Sequence, residues 1–229
     1  MATKISRYQV ATAIAVLFHC VGFVGIVFFK SDLILQSTVI NLLLMFVLLL
    51  WTQQNKNAAF WIFLLLTAAI GIVVEMIGVN TKLLFGSYSY GKVLGYQYRN
   101  VPLVIGINWF IIIYCCGISI NTLLTKAIDK LAAETATPPL KLKMLSVIVD
   151  GATLAVLFDW LMEPAAVQLG YWKWEGEIPF YNYLCWFIVS MLLMLLFHFS
   201  AFHKRNKFAV HLLMIQVMFF LLLRTFLTD

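Results

Sequence analysis

Three acids stand out in this chain because of where they fall. Glu75 interrupts the apolar run AAIGIVVEMIGV, and Asp159 and Glu163 sit four residues apart in FDWLMEP, near the end of another apolar segment. Residues four apart share one face of a helix, so Asp159 and Glu163 point the same way. A charged Asp at the centre of a membrane helix costs about 2.5 to 3.5 kcal/mol on insertion scales, and an ionisable group so placed is a functional candidate by default. Asp150 lies on the same segment as Asp159, nearer its opposite end, and reads as structural. Carboxyls converging in apolar surroundings suit acid chemistry on an apolar substrate. Burial disfavours the charged form of a carboxyl in general, and a neutral carboxyl serves as a general acid. The plainer alternative is that these acids are solvated at an interface or paired with Arg99 or Lys173.

Aromatic loops follow the acids. In FGSYSYGKVLGYQY and GYWKWEGEIPFYNY the residues Tyr88, Tyr90, Trp172 and Trp174 form either an interfacial belt or the wall of a site, where their faces would stabilise positive charge. Gly86, Gly91, Gly95 and Gly170 favour tight turns that hold such loops against a bundle. Together, acids and aromatics favour protonation of an alkene and survival of the resulting carbocation.

The elements that position these residues are membrane helices. The 229 residues are 63% hydrophobic and 11% charged, with a mean hydropathy of +0.94, which is the composition of a membrane protein. Segments of roughly 20 apolar residues span a bilayer, and seven are marked at 8–29, 33–51, 58–78, 102–122, 144–163, 180–200 and 206–226. The expectation is an all-α polytopic protein of about seven transmembrane helices, a single transmembrane domain over residues 1–229. The first segment follows Lys4 and Arg7 but lacks a small-residue cleavage site after it, so it reads as a retained helix. Cys20, Cys115, Cys116 and Cys185 lie inside predicted spans without metal-type spacing and read as small core residues.

The formal charge of +6 belongs to loops beside spans and points to orientation rather than to nucleic acid. Ten Lys and Arg fall on the N-terminal side of a seven-span topology and six on the other, so the positive-inside rule puts the N-terminus in the cytoplasm.

The polar, Pro-containing stretch Ala132 to Lys143 separates two similar halves, approximately 58–122 and 144–200. A shift of 84 lays Glu75 on Asp159, Gly86 on Gly170, Tyr88 on Trp172 and Tyr90 on Trp174; a shift of 77 then lays Pro102 on Pro179, Trp109 on Trp186 and Phe110 on Phe187. Each unit is an acid near the outer end of a helix, a Gly-aromatic loop, a Pro, and a helix carrying Trp-Phe. Both enter from the same side, so the repeat is parallel, with a site expected at the interface.

Other chemistries lack their residues. A retinal pigment needs a lysine within its last helix, and the seventh segment has only Lys207 at its start. Membrane di-iron enzymes need histidine clusters, whereas His19, His198, His203 and His211 are scattered; no metal is expected. No phosphate loop, serine-nucleophile motif or dinucleotide fingerprint is present.

The combination of Glu75, FGSYSYG, VPLVIGINW, FDWLMEPAAVQLGYWKW and IPFYNYLCWF, covering about residues 58 to 200, resembles the bacterial integral-membrane carotenoid biosynthesis proteins, whose characterised members are carotenoid 1,2-hydratases. The resemblance implies cofactor-independent addition of water to the terminal double bond of an acyclic ψ end group, as in lycopene, γ-carotene or bisanhydrobacterioruberin. It further implies an inner (cytoplasmic) membrane location, membrane lipid and carotenoid as partners, and association with other enzymes of the pathway. Where Asp is expected before Pro, this chain has Glu163, and NYLCW stands for the expected NxxGW. On this reading Asp159 is the general acid, and Glu75 or Glu163 orients the water and takes its proton; the assignment between Glu75 and Asp159 stays open. Tyr88, Tyr90, Trp172 and Trp174 wall the end group alongside Trp109 and Trp186, and Asn108 and Asn182 hold water. A membrane lycopene cyclase uses the same kind of cation, but its Pro-x-Glu-Glu motif is missing here. A non-catalytic carotenoid-binding subunit is the reading from another class.

Overall fold

Long apolar stretches have no water to satisfy their backbone, so they close their hydrogen bonds internally as helices. The structure, a computed structural model, describes residues 5–132 and 140–227. Its helices are α1 (Arg7–Val27), α2 (Asp32–Gln36), α3 (Thr38–Thr52), α4 (Ala58–Thr81), α5 (Val104–Ala132), α6 (Leu140–Gln168), α7 (Phe180–Phe199) and α8 (Lys207–Leu227). Stretches within α1, α4, α5, α6, α7 and α8 are long and apolar enough to cross a membrane, which makes this an all-α polytopic membrane protein.

The remaining expected span, 33–51, is divided. The Ser31 side chain accepts from the Ile34 amide at 3.4 Å, and Ser37 Oγ donates to the Ile34 carbonyl at 2.7 Å, so α2 ends before α3 begins. The 15 residues of α3 rise about 22 Å, short of the roughly 30 Å hydrocarbon layer. Even so, α3 keeps the up-and-down alternation. Asn206, just before α8, donates to the Leu49 carbonyl at 3.4 Å, and Asn57, which caps α4, donates to the Ala201 carbonyl at 2.7 Å. Lys143 on α6 reaches Thr125 on α5 at 2.9 Å, and Lys207 lies 5.0 Å over the Tyr8 ring. One end of the bundle thus gathers the starts of α1, α4, α6 and α8 with the ends of α3, α5 and α7. The carboxyl-bearing ends of α4 and α6 lie at the other.

Helix α5 is the axis of the packing and touches α3, α4, α6, α7 and α8. Every residue from Phe110 to Cys116 is buried, as expected of a helix apolar all round and enclosed by others. Cys115, Cys116 and Cys185 are the small core residues expected, whereas Cys20 is exposed on α1. The linker expected at Ala132 to Lys143 falls mostly outside the described residues.

Four short strands join the helices at the carboxyl end: β1 (Tyr88–Tyr90), β2 (Gln97–Tyr98), β3 (Val101–Pro102) and β4 (Trp172–Trp174). β2 pairs with β3 as a local hairpin. β1 pairs antiparallel with β4, with Tyr88 opposite Trp174, Ser89 opposite Lys173 and Tyr90 opposite Trp172. The two aromatic loops are therefore one two-stranded roof. They meet so closely that a Cβ on Gly91 would lie 2.0 Å from the Gly170 carbonyl oxygen, so only glycine fits there.

Candidate active site

The turn before the last of α4 places Glu75 under the first aromatic loop. The helix stops at Lys82, in the left-handed region at φ 59°, and Gly86 at φ 114° turns the chain back over it. Tyr88 Oη donates to Glu75 Oε2, and Tyr90 Oη donates to the same oxygen at 2.8 Å. The other oxygen, Oε1, accepts from Trp109 Nε1 on α5 at 3.0 Å. Trp109 reaches this position by lying across Gly71, where a Cβ would sit 2.5 Å from the indole. Glu75 is thus buried, with three donors drawn from a loop and a neighbouring helix.

Glu163 is held in a matching way by the second loop. Its Oε1 accepts from Trp172 Nε1 at 2.6 Å and from Trp174 Nε1. The next residue, Pro164, lies inside α6 and supplies no amide to bond back along the helix. Asp159, one turn below Glu163 and 1% exposed, is served differently. Its side-chain partner is Asn182 Nδ2 on α7, at a long 3.4 Å. Neither Arg99 nor Lys173 bonds to these acids among the described residues. Glu175, outside the site, pairs with Lys82 at 2.7 Å, and the Lys82 ammonium holds the Glu175 carboxyl below its ordinary range. Asp150 is exposed and bonded to Ser146, remote from the other acids.

The three carboxyls face a common cavity of about 30 Å³, which exceeds the space of roughly 10 to 15 Å³ that one water needs. The acids, aromatics and asparagines expected at the site come together around it: Glu75, Asp159 and Glu163, with Tyr88, Tyr90, Trp172, Trp174, Asn108, Trp109, Asn182 and Trp186. Trp109 and Trp186 stack with ring centroids 4.0 Å apart and planes 12° apart. Phe85, Ile105 and Met162 complete the lining. Phe85 opens the first aromatic loop and had a visible signal in its neighbours. Ile105 and Met162 had none, being apolar residues on helices that are apolar on every face.

The electrostatics are one-sided. Three carboxyls share the cavity, and its lining contains no Lys, Arg or His. Burial, reinforced by the charge of Glu75, pushes the Tyr88 and Tyr90 phenols far above their ordinary range, so both remain hydrogen-bond donors at any physiological pH. Such a site can give a proton to an uncharged guest, stabilise the cation produced, and house a water beside it. Among the described residues no group of three or more His, Cys, Asp or Glu is arranged to hold a metal.

A family model described as "Carotenoid biosynthesis protein" matches residues 7–228. The bisanhydrobacterioruberin hydratase of Haloarcula japonica is 26% identical over 132 residues, which are 56% of this chain and 41% of that protein. The matched region thus spans about two-fifths of the relative's length. No solved structure matches.

Proposed function

The chain belongs to the carotenoid biosynthesis protein family, and we propose that it is a carotenoid 1,2-hydratase of the bacterial inner membrane that works without a cofactor. The family and the distant hydratase relative support a carotenoid-modifying role; the reaction and its residues are our reading of the cavity. The substrate is an acyclic ψ end group of the lycopene, γ-carotene or bisanhydrobacterioruberin type.

The observation that carries the mechanism is the unequal treatment of the three carboxyls. Glu75 is filled with three donors and Glu163 with two, whereas Asp159 has one long bond to Asn182. Hydrogen bonds from neutral donors favour an ionised acceptor, and each is worth about 1.5 to 3 kcal/mol when the acceptor is charged. Glu75 and Glu163 are the anions of the site, and Asp159 carries the proton. Asp159 delivers that proton to C2 of the terminal double bond, which leaves a tertiary cation at C1. The two glutamates and the faces of Trp172, Trp174 and the tyrosines stabilise it, a cation over a desolvated aromatic face being worth about 2 kcal/mol. A water held by Asn108 and Asn182 adds to C1, and Glu75 or Glu163 takes its excess proton. Return of that proton to Asp159 restores the site, so the net change is the addition of one water.

The same reading takes residues 58–122 and 144–200 as two parallel copies related by an axis along the membrane normal. In support, Ser89 lies opposite Lys173, its counterpart under the 84-residue shift, and Trp109 stacks on Trp186, its counterpart under the 77-residue shift. Pairs of counterparts facing each other are what a two-fold axis between the copies requires.

The test is expression in a bacterial host that accumulates lycopene, with pigments compared by chromatography and mass spectrometry. A more polar pigment heavier by one water is expected. A pigment of unchanged mass with a shorter chromophore means ring closure and overturns the reading, as does unmodified pigment co-purifying with the protein.

A further inference from the structure

The carboxylate cavity is too small for any part of a polyene beyond its end group, so the rest of the substrate needs another place. A second, larger cavity of about 200 Å³ lies between α1, α3, α5, α6 and α8. The two are neighbours: Ile105, Asn108, Met162 and Trp172 line both. Phe18, Met45, Phe158 and Phe219 make the larger one mainly apolar. Of the polar groups on its wall, His19 Nδ1 bonds the Ala15 carbonyl oxygen at 2.7 Å and Thr38 Oγ1 donates to that of Leu35 at 2.6 Å, whereas Asn41 Oδ1 is buried without a hydrogen-bond partner among the described residues. Phe18 and Val21, which also line it, are 44% and 50% exposed on the outer surface of α1. In a membrane helix that surface is lipid, so the cavity opens sideways into the bilayer beside α1.

Resting on the proposed carotenoid reading, we propose that this cavity is the seat of the polyene arm adjoining the reacting end group. The substrate enters laterally from the lipid past Phe18 and Val21, and its end group passes the shared wall of Ile105 and Met162 to reach Asp159. A pocket that encloses a whole drug-sized ligand measures about 300 to 1,000 Å³, and 200 Å³ is less than that. A carotenoid is longer than such a ligand, so its far half stays in the bilayer. The protein therefore reads one end of its substrate and is indifferent to the other.

Gly22 supplies the test, because it lines the cavity and a Cβ there would meet the Phe219 ring only at an ordinary 3.7 Å. The Asp159→Asn protein is purified from pigment-accumulating cells, and bound carotenoid per protein is measured by absorbance and identified by mass. Adding Gly22→Phe is expected to lower bound pigment at least fivefold, while Val73→Phe on the exposed face of α4 leaves it unchanged. Should Gly22→Phe not accumulate, Leu42→Trp fills the cavity from α3 and gives the same reading. Undiminished pigment in a folded cavity-filling variant overturns the proposal. The wild-type protein should also convert substrates whose far end is cyclic or acyclic with kcat/KM equal within threefold; a tenfold preference overturns the one-ended reading. Because pigment retention is read apart from product identity, a cyclised product would sink the hydratase reading and leave the seat standing.

Discussion

Two polar clusters lie inside this bundle, one at each end, and they are built on opposite terms. At the end opposite the carboxyls, Tyr114 Oη donates to Gln53 Oε1, and Asn206 Nδ2 donates to Tyr114 Oη at 3.2 Å. Gln53 Nε2 donates to the carbonyls of Gln54 and His203, both at 2.9 Å, and Asn206 Oδ1 accepts from the Phe208 amide at 3.1 Å. Every member is neutral and supplied with partners, so the cluster ties α3 and α5 to the start of α8. The carboxyl cluster holds three acids, an enclosed space and one acid barely bonded. Buried polarity alone does not make a site; a closed neutral network rigidifies, whereas surplus negative charge without a cation leaves something for a guest to complete.

The sharpest way to break that contrast is Asp159→Asn. General acid catalysis contributes about 10² to 10⁴-fold, so hydrated pigment should fall by that factor while the protein still accumulates. Normal turnover would put this cluster in the same class as the other. Next comes Trp172→Phe with Trp174→Phe, which strips Glu163 of both donors. Each is worth about 1.5 to 3 kcal/mol, so the rate in membranes should drop tenfold or more, with the single variants less affected. At the neutral cluster the prediction reverses. Asn206→Ala leaves buried groups unpaired at a cost of about 1 to 3 kcal/mol, so Tm in detergent should fall while the rate of the folded protein stays within about twofold. Asp150→Asn, on the same helix as Asp159 but exposed, should alter neither by a measurable amount.

Acids and aromatics were legible in the sequence because both are anomalous in apolar helices and at their ends, and the structure brings them around one cavity. Their division of labour was not legible. The 84-residue shift pairs Glu75 with Asp159, yet the acid bonded by the second loop as Glu75 is by the first is Glu163, one turn further along. Side-chain length and loop reach decide this, and neither shows in spacing. The break at Ser37 was hidden because a serine that bonds its own backbone costs an apolar run little hydropathy. The large cavity beside α1 was invisible for a related reason: helices apolar all round carry no moment to show which face is lipid and which is protein.

The stacked pair Trp109 and Trp186 has a consequence in optics. Two indoles face to face at 4.0 Å are coupled chromophores, and their shared transitions give the seam between α5 and α7 an ultraviolet circular-dichroism signature of its own. With Trp109 bonded to Glu75 at 3.0 Å, the pair is a built-in reporter of the packing around that carboxyl, readable without pigment or attached label.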